Sequence, residues 1–276
     1  MTEVTPPGGL EGFFLQMRPR RVTGDTFTFE TPGGGRRMFG GVTLGQALVA
    51  AAQTVPGLAP HELHTLFLRP HMPGSEARYV VERLRDGRRF STRRVRAVEG
   101  ERLLSESTVS FSAAPGTTNF QAQAPSAPAP EGLPLFAPDG PPPITPRPGS
   151  TGALVEQRLI RWTGPSDGGL NRLDLWYRPL GAVPDDPVLR AAALAAFSDL
   201  SSQLLGFEPD ASPRPEAATM SHVIWFHALP SLDGWLLFPR EASVMVGGRV
   251  LMTGALYTRD GRRCATLVQE SVVAAG

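Results

Sequence analysis

Not one of the 276 residues is lysine; all 27 residues in the Lys+Arg total are arginine. With no side-chain amine, a Schiff base, a catalytic lysine and a Walker-type phosphate lysine are all excluded, and any phosphate contact falls to guanidinium groups. A single cysteine, Cys264, rules out an intramolecular disulfide and a Cys-cluster metal site. It falls in a strand-like run and reads as a small buried residue, not a nucleophile. No apolar run is long enough to span a bilayer. The opening MTEVTPPGGLEGFF lacks the basic start and apolar core of a signal peptide, so the cytoplasm is the expected compartment. Charge is also scarce: 19% of residues are charged and the formal net charge is +1, which points to neither nucleic acid nor an anionic membrane. What is present is a 41% hydrophobic composition, enough for one large domain or two of ordinary size.

The stretch Asp185 to Gly206, DDPVLRAAALAAFSDLSSQLLG, predicts a helix with both ends marked. Asp185 or Asp186 can cap the first turn, and Pro187 suits the first helical position, where no N–H is needed. Gly206 is placed to close the far end in a left-handed conformation. Leu189, Phe197, Leu200 and Leu204 make a core-facing stripe. Val188, Ala192, Ala195 and Asp199 share a neighbouring face, where alanines let another backbone or a ligand come close. Asp199 is badly placed for stability. It faces the partial negative end of the helix dipole, and Ala-lined, partly buried surroundings disfavour its charge. Both effects make it a better base and a site candidate. The plainer alternative is a helix-end carboxylate that reaches solvent.

Upstream, residues 1–24 are punctuated by Gly, Pro and Arg around a short apolar piece, Leu10 to Met17. Asp25 to Glu30 alternates as a strand. Pro32 to Arg37 is a glycine-rich turn without the GK[ST] of a phosphate loop. Phe39 to Val55 predicts an Ala-rich helix stopped by Pro56. Strand-like runs follow at His61–Leu68, Ala77–Leu84, Arg89–Val98 and Arg102–Ser112, with turn signals at Pro73-Gly74, Asp86-Gly87 and Glu99-Gly100. From Ala113 to Ser150 proline dominates, and an extended linker is expected. The second half repeats the plan. Strands are expected at Leu154–Trp162 and Arg172–Tyr177, then the helix, then strands at Met220–Ala228, Gly234–Phe238, Ala242–Val246, Arg249–Thr258 and Arg263–Val273. Matching Glu99-Gly100 to Asp260-Gly261 sets ERLLSESTVSF against RRCATLVQESV, low in identity but alike in strand–turn–strand grammar. The reading is an internal duplication of class α+β, two copies of a helix wrapped by a curved antiparallel sheet. The copies are assigned to residues 1–112 and 151–276, with 113–150 between them. Clefts at the seam are natural ligand sites.

Gly164-Pro165-Ser166-Asp167-Gly168 fits G-x-S-x-G, but strand-like LDLWY follows where a nucleophile elbow needs a helix. A hairpin turn is expected. His61 and His64 are three apart and His222 and His227 five apart in strand-like runs, which puts each pair on opposite faces. Neither pair can share a metal; His71, after Pro70, is expected to be exposed. No metal and no cofactor are expected. In RRFSTRRVR (88–96), alternation sends Arg94 and Arg96 to one face and Arg93 to the other, with no aromatic platform for a single strand. A solvated sheet edge, or contact with the phosphates of a small ligand, is expected before nucleic acid. Thr219 and Gln269 are polar residues in or beside apolar strands, and a buried amide must find partners.

The chain resembles the acyl-CoA thioesterase II family of double hot-dog thioesterases. The resemblance runs through MFGGVTLGQALVAAAQTVP (38–56), LFLRP (66–70), VERLRDGRRFSTRRVRAVEG (81–100), PSAPAPEGLP (125–134), VPDDPVLRAAALAAFSDL (183–200), ATMSHVIWFH (218–227), GWLLF (234–238) and LYTRDGRRCATLVQESVV (256–273). It implies that an Asp, a Thr and a Gln hold the water that attacks the thioester. These are Asp199 of the SDL motif, Thr219 of ATxxH and Gln269 of VQE. Val42, where the family often has Gln, and Ser221, where it often has Asp, depart from the pattern and bear on chain-length preference and cleft lining. In this chemistry Asp199 accepts the water proton while Thr219 and Gln269 aim the water. A backbone N–H near Gly40 to Gly45 polarises the carbonyl. The expected partner is an acyl-CoA substrate, with no nucleic acid and no membrane. Exposed sheet edges suggest a homo-oligomer. Two alternatives stand beside this reading. One is a hot-dog hydratase or dehydratase of enoyl thioesters, which would use an Asp/His pair; the other is a non-catalytic acyl-CoA-binding protein.

Overall fold

The computed structural model describes residues 9–31, 37–72, 74–113, 119–136, 154–164, 170–209 and 216–273. The glycine-rich turn from Pro32 to Arg36, Pro73, residues 165–169 of the Ser166 motif, and residues 114–118 and 137–150 of the Pro-rich stretch lie outside them. In chain order the elements are α1 (Gly9–Leu15), β1 (Pro19–Thr23), β2 (Thr26–Phe29), α2 (Gly40–Ala52), β3 (Ala59–Phe67), β4 (Arg78–Asp86), β5 (Phe90–Glu99) and β6 (Arg102–Ser112). The second half holds β7 (Val155–Thr163), β8 (Asn171–Pro179), α3 (Pro187–Asp199), β9 (Ala217–Phe226), β10 (Leu236–Phe238), β11 (Arg240–Val246), β12 (Arg249–Thr258) and β13 (Arg263–Val273). Strand β1, PRRVT, has no apolar alternation to announce it. It exists because it pairs with β2.

The thirteen strands of the described residues join one antiparallel sheet. The halves follow the same order, β2-β4-β5-β6-β3 and β8-β11-β12-β13-β9, each with its helix between the first strand and the last. They meet where β3 pairs with β9, with Thr65 opposite His222. This is the α+β double hot-dog arrangement.

Helix α3 begins as its sequence demands. The Asp186 carboxylate accepts from the Val188 and Leu189 amides, both at 2.9 Å, and Pro187 opens the first turn. It ends earlier than the glycine suggested. Ser201, at φ 60°, takes the left-handed position, and Ser202–Gly206 continues as a 3₁₀ turn. Gly206 itself is not left-handed. A Cβ there would sit 2.8 Å from the Val273 side chain and 3.2 Å from that of Val250, so the glycine serves close packing.

The helices α2 and α3 run antiparallel and touch through small residues. A Cβ on Gly41 would lie 2.8 Å from the Ala196 Cα, and one on Gly45 3.5 Å from the Ala192 Cβ. The alanines of α3 therefore admit another backbone, that of α2. Each helix end is also held by a buried arginine from the sheet. Arg93, 1% exposed, donates to the Thr54 carbonyl at 3.1 Å and the Thr54 hydroxyl at 2.7 Å. Arg240 donates to the Leu200 carbonyl at 2.6 Å. Both place positive charge at a helix C-terminus. The 88–96 run is thus no sheet edge: β5 lies between β4 and β6, Arg93 faces the helix, and Arg94 pairs with Glu106 on the other side.

The Pro-rich stretch is extended where it is described, apart from a 3₁₀ turn at Pro130–Gly132, but it is tied down. Residues 119–136 lie across the face of the second half opposite α3. There Trp176 donates to the Pro128 carbonyl at 2.9 Å, Arg158 to the Leu133 carbonyl at 2.9 Å, and Gln121 brackets Gly261 and Arg263. Ala124, Ala127 and Leu133 cover Trp176, Trp235, Leu237, Ala255 and Tyr257.

Gly41→Ala adds a methyl group against a helix backbone. The gain in helix propensity is at most about 1 kcal/mol, and overpacking costs about 1–3 kcal/mol. A net loss of stability is expected in urea unfolding; an unchanged midpoint would show that the helices separate without cost.

Candidate functional site

Asp199 ends α3 at 5% exposure, so the solvent-reaching alternative fails. Its Oδ1 accepts from the Thr219 hydroxyl at 3.0 Å and from Gln269 Nε2 at 2.9 Å, and Gln269 Nε2 lies 2.8 Å from the Thr219 oxygen. One helix and two strands thus bring their polar side chains to a single carboxylate oxygen.

A bulge makes this possible. In the β9–β13 pairing, His222 faces Gln269 and Ser221 faces Glu270, but Ser271 faces Thr219, so Met220 is the extra residue. Thr219 and His222 are three apart and would point to opposite faces of a regular strand. The added residue turns both inward.

His222 sits behind the trio, fully buried, and sets its polarity. Gln269 Oε1 accepts from His222 Nδ1 at 3.0 Å, which turns the amide nitrogen toward Asp199, Thr219 and Ser202. With the proton on Nδ1, the other ring nitrogen lies 2.9 Å from the Ser198 hydroxyl, whose one proton is shared with the Ala195 carbonyl 2.8 Å away. Ser202 completes the frame: its hydroxyl donates to the Asp199 carbonyl at 3.1 Å and accepts from Gln269 at 2.8 Å. Sequence reading placed Asp199, Thr219 and Gln269 but gave no part to Ser198, Ser202 or His222. Ser198 and Ser202 flank Asp199 at one and three residues, a proximity that could have flagged them.

The second carboxylate oxygen faces the start of α2. A Cβ on Gly40 would lie 2.6 Å from Asp199 Oδ2, so only glycine leaves that oxygen room. Phe39 supplies no side-chain cap; the Val42 amide donates to the Phe39 carbonyl at 3.0 Å, which leaves those of Gly40 and Gly41 without an intrahelical acceptor. A cleft of about 570 Å³ opens here, lined by Gly40, Thr43, Phe67, Asp199, Ser201 and Thr219 among others. Val42 and Ser221 are not part of its lining. The opposite junction, where α3 begins and α2 ends, has a cleft of about 860 Å³ lined by Val49, Gln53, Asp186 and α1, without such a trio.

His71 was expected to be exposed and is 6% exposed instead, on the wall of the Asp199 cleft. His227 bonds Thr266. Among the described residues no cluster of His, Cys, Asp and Glu could hold a metal, and no helix is long and apolar enough to cross a membrane. Cys264 is buried, and burial pushes its thiol up to about 11, which leaves it unreactive at neutral pH. The element that follows the Ser166 motif is strand β8, paired antiparallel with β7, and not the helix that a nucleophile elbow needs; the motif itself lies outside the described residues.

Family models described as the acyl-CoA thioesterase N-terminal and C-terminal domains match residues 30–112 and 122–273. The second range takes in most of the bound Pro-rich segment. The chain is 30% identical to Acyl-CoA thioesterase 2 of Haemophilus influenzae over 87% of this chain and 88% of that protein. It is similar to the structure of acyl-CoA thioesterase II TesB2 from Mycobacterium marinum, with TM-score 0.82 and 29% identity over 96% and 98% of the two chains. A hot-dog protein from Alicyclobacillus acidocaldarius matches in fold alone, with TM-score 0.76 and 21% identity over 96% and 98%.

Burial holds the His222 imidazole below its ordinary value, against the opposing pull of Asp199 and Gln269. The unfolded chain therefore takes up a proton, as pH falls through about 6.5, that the folded chain refuses. Stability is unaffected above that value and declines below it, by up to about 1.4 kcal/mol per pH unit for this group. Urea unfolding at about pH 7.5 and about pH 5.5 should show a smaller loss for His222→Gln than for the wild type. Equal losses would assign the acid sensitivity elsewhere.

Proposed function

This chain belongs to the acyl-CoA thioesterase family, a family of thioester hydrolases, and on that footing we propose that it hydrolyses an acyl-CoA in the cleft between the start of α2 and the end of α3. In this reading Asp199 is the general base, and Thr219 and Gln269 hold its Oδ1 and so aim the other carboxylate oxygen at the attacking water. The observation that carries the reading is the convergence of all three on one carboxylate oxygen, with the other oxygen turned to the cleft beside Gly40.

The chemistry follows from that geometry. Oδ1 is occupied by two donors, so Oδ2 is the oxygen that takes the water proton. The water oxygen attacks the thioester carbon, and the carbonyl electrons move onto oxygen. Backbone amides of the first α2 turn, at the positive end of that helix, stabilise the oxyanion. As the intermediate collapses the C–S bond breaks, the proton returns from Asp199 to the departing sulfur, and free acid and CoA leave. A positioned base supplies about 10²–10⁴-fold of rate, and each oxyanion donor about 10²–10³-fold. Arg37 and Arg69 line the same cleft, braced on the Ala217 and Leu103 carbonyls, and suit the CoA phosphates. The hydratase alternative pairs the Asp with a histidine from the segment after the helix, His222, and both of its ring nitrogens are engaged behind the trio. We place the enzyme in the cytoplasm as a homo-oligomer, with β1 as an open outer strand; the outer edge of β7 is already bridged by residues 134–136.

Asp199→Asn should cut thiol release from an acyl-CoA by about 10²-fold or more. Turnover near the wild-type rate would remove Asp199 as the base. Saturable acyl-CoA binding by the wild type without any thiol release would mark a binding protein instead.

A further inference from the structure

Among the described residues of the cleft wall, His71 is the side chain whose polar atoms the reaction above does not use and the protein does not satisfy. Its ring is more than nine-tenths buried, and neither Nδ1 nor Nε2 has a hydrogen-bond partner. The backbone that carries the ring is held in place. Its own carbonyl accepts from the Met38 amide at 2.8 Å, next to the start of α2, and the Leu68 and Arg69 amides both donate to the Leu104 carbonyl. Met38, Phe39, Phe67, Leu68 and Leu104 line the same cleft, together with the polar Arg37, Thr43, Arg69 and Ser105, none of which bonds the ring. A plain hydrocarbon cleft would be better served by Phe or Leu here, because a buried donor and acceptor without partners are destabilising.

Burial also holds the ring below its ordinary pKa, against a weaker pull from Glu99, so it is neutral near pH 7. A neutral imidazole offers one N–H donor and one nitrogen acceptor at fixed separation. Both nitrogens are closed to water in the cleft as it stands, so a partner that fills the cleft reaches them by turning the ring about its side-chain bonds, which the fixed backbone permits.

We propose that His71 is a specificity-determining residue that recognises, within the bound thioester, a group able both to accept and to donate a hydrogen bond: a secondary amide or a hydroxyl. This rests on the thioesterase reading of the same cleft. Two parts of a substrate carry such chemistry. The pantetheine arm of CoA contains secondary amides, and an oxygenated acyl chain carries a hydroxyl.

The test compares kcat/KM for the wild type, His71→Phe and His71→Gln on a saturated acyl-CoA, its 3-hydroxy counterpart, the same acyl group on N-acetylcysteamine, and the same acyl group on ethanethiol, which has no amide. If His71 meets the arm, His71→Phe loses about tenfold or more on the amide-bearing thioesters, mostly through KM, and little on the ethanethiol ester. If it meets the acyl hydroxyl, the loss is confined to the 3-hydroxyacyl-CoA. In either case His71→Gln, whose amide donates and accepts, retains most of the preference, and the Phe variant unfolds at no lower temperature than the wild type. His71→Leu serves in place of the Phe variant should that protein not fold. A loss by the same factor on all four thioesters, or no loss on any, overturns the proposal while leaving the thioesterase reading intact. A wild type that releases thiol from none of them sinks both.

Discussion

Two helix backbones come this close only where side chains shrink to a methyl group or vanish. The contact of Gly41 with Ala196 and of Gly45 with Ala192 meets that condition, and everything at the site depends on it. Because the helices are antiparallel, close approach along their length delivers the end of α3 to the beginning of α2. Asp199, which opposes the dipole of its own helix, thereby gains the positive end of another. What is an electrostatic fault in one helix becomes a favourable contact in the pair, and the buried carboxylate is held by the neutral donors of Thr219 and Gln269.

Around that contact the polar groups form a chain with a direction. Ser198 stands against His222, His222 donates to Gln269, and the two amide protons of Gln269 are shared among Asp199, Thr219 and Ser202. An amide can present either its oxygen or its nitrogen to a carboxylate, and only the nitrogen is attractive. The buried imidazole makes that choice by holding the oxygen. The network is fully connected, the condition under which buried polar groups stiffen a core instead of weakening it.

Much of this was legible in the chain. The Asp186 cap and Pro187 announce the start of α3, and β6, β12 and β13 fall on the residues that their alternation marks. The trio came from a resemblance, since no local pattern links residues seventy apart. Other features depend on pairing and could not be read from one strand. The bulge at Met220 is visible only against β13, and it reverses the side to which Thr219 would point. Arg93 looked like surface charge because nothing local shows that a helix end lies above it. Gly206 looked like the natural left-handed residue, but Ser201 takes that position because the chain must turn directly after Asp199. His71 follows a proline and reads as an exposed turn; its burial is supplied by the neighbouring Leu104 strand and the approach to α2.

The duplicated plan makes two helix junctions, and they have parted ways. At one, Asp199 meets a bare helix start. At the other, the start of α3 is closed by its own Asp186, the end of α2 offers Gln53, and α1 lines the cleft. In an assembly of two identical subunits every substitution lands in both places at once. With both copies encoded in one polypeptide, each junction can drift separately, so a second, differently shaped recess can persist in the fold under no obligation to do chemistry.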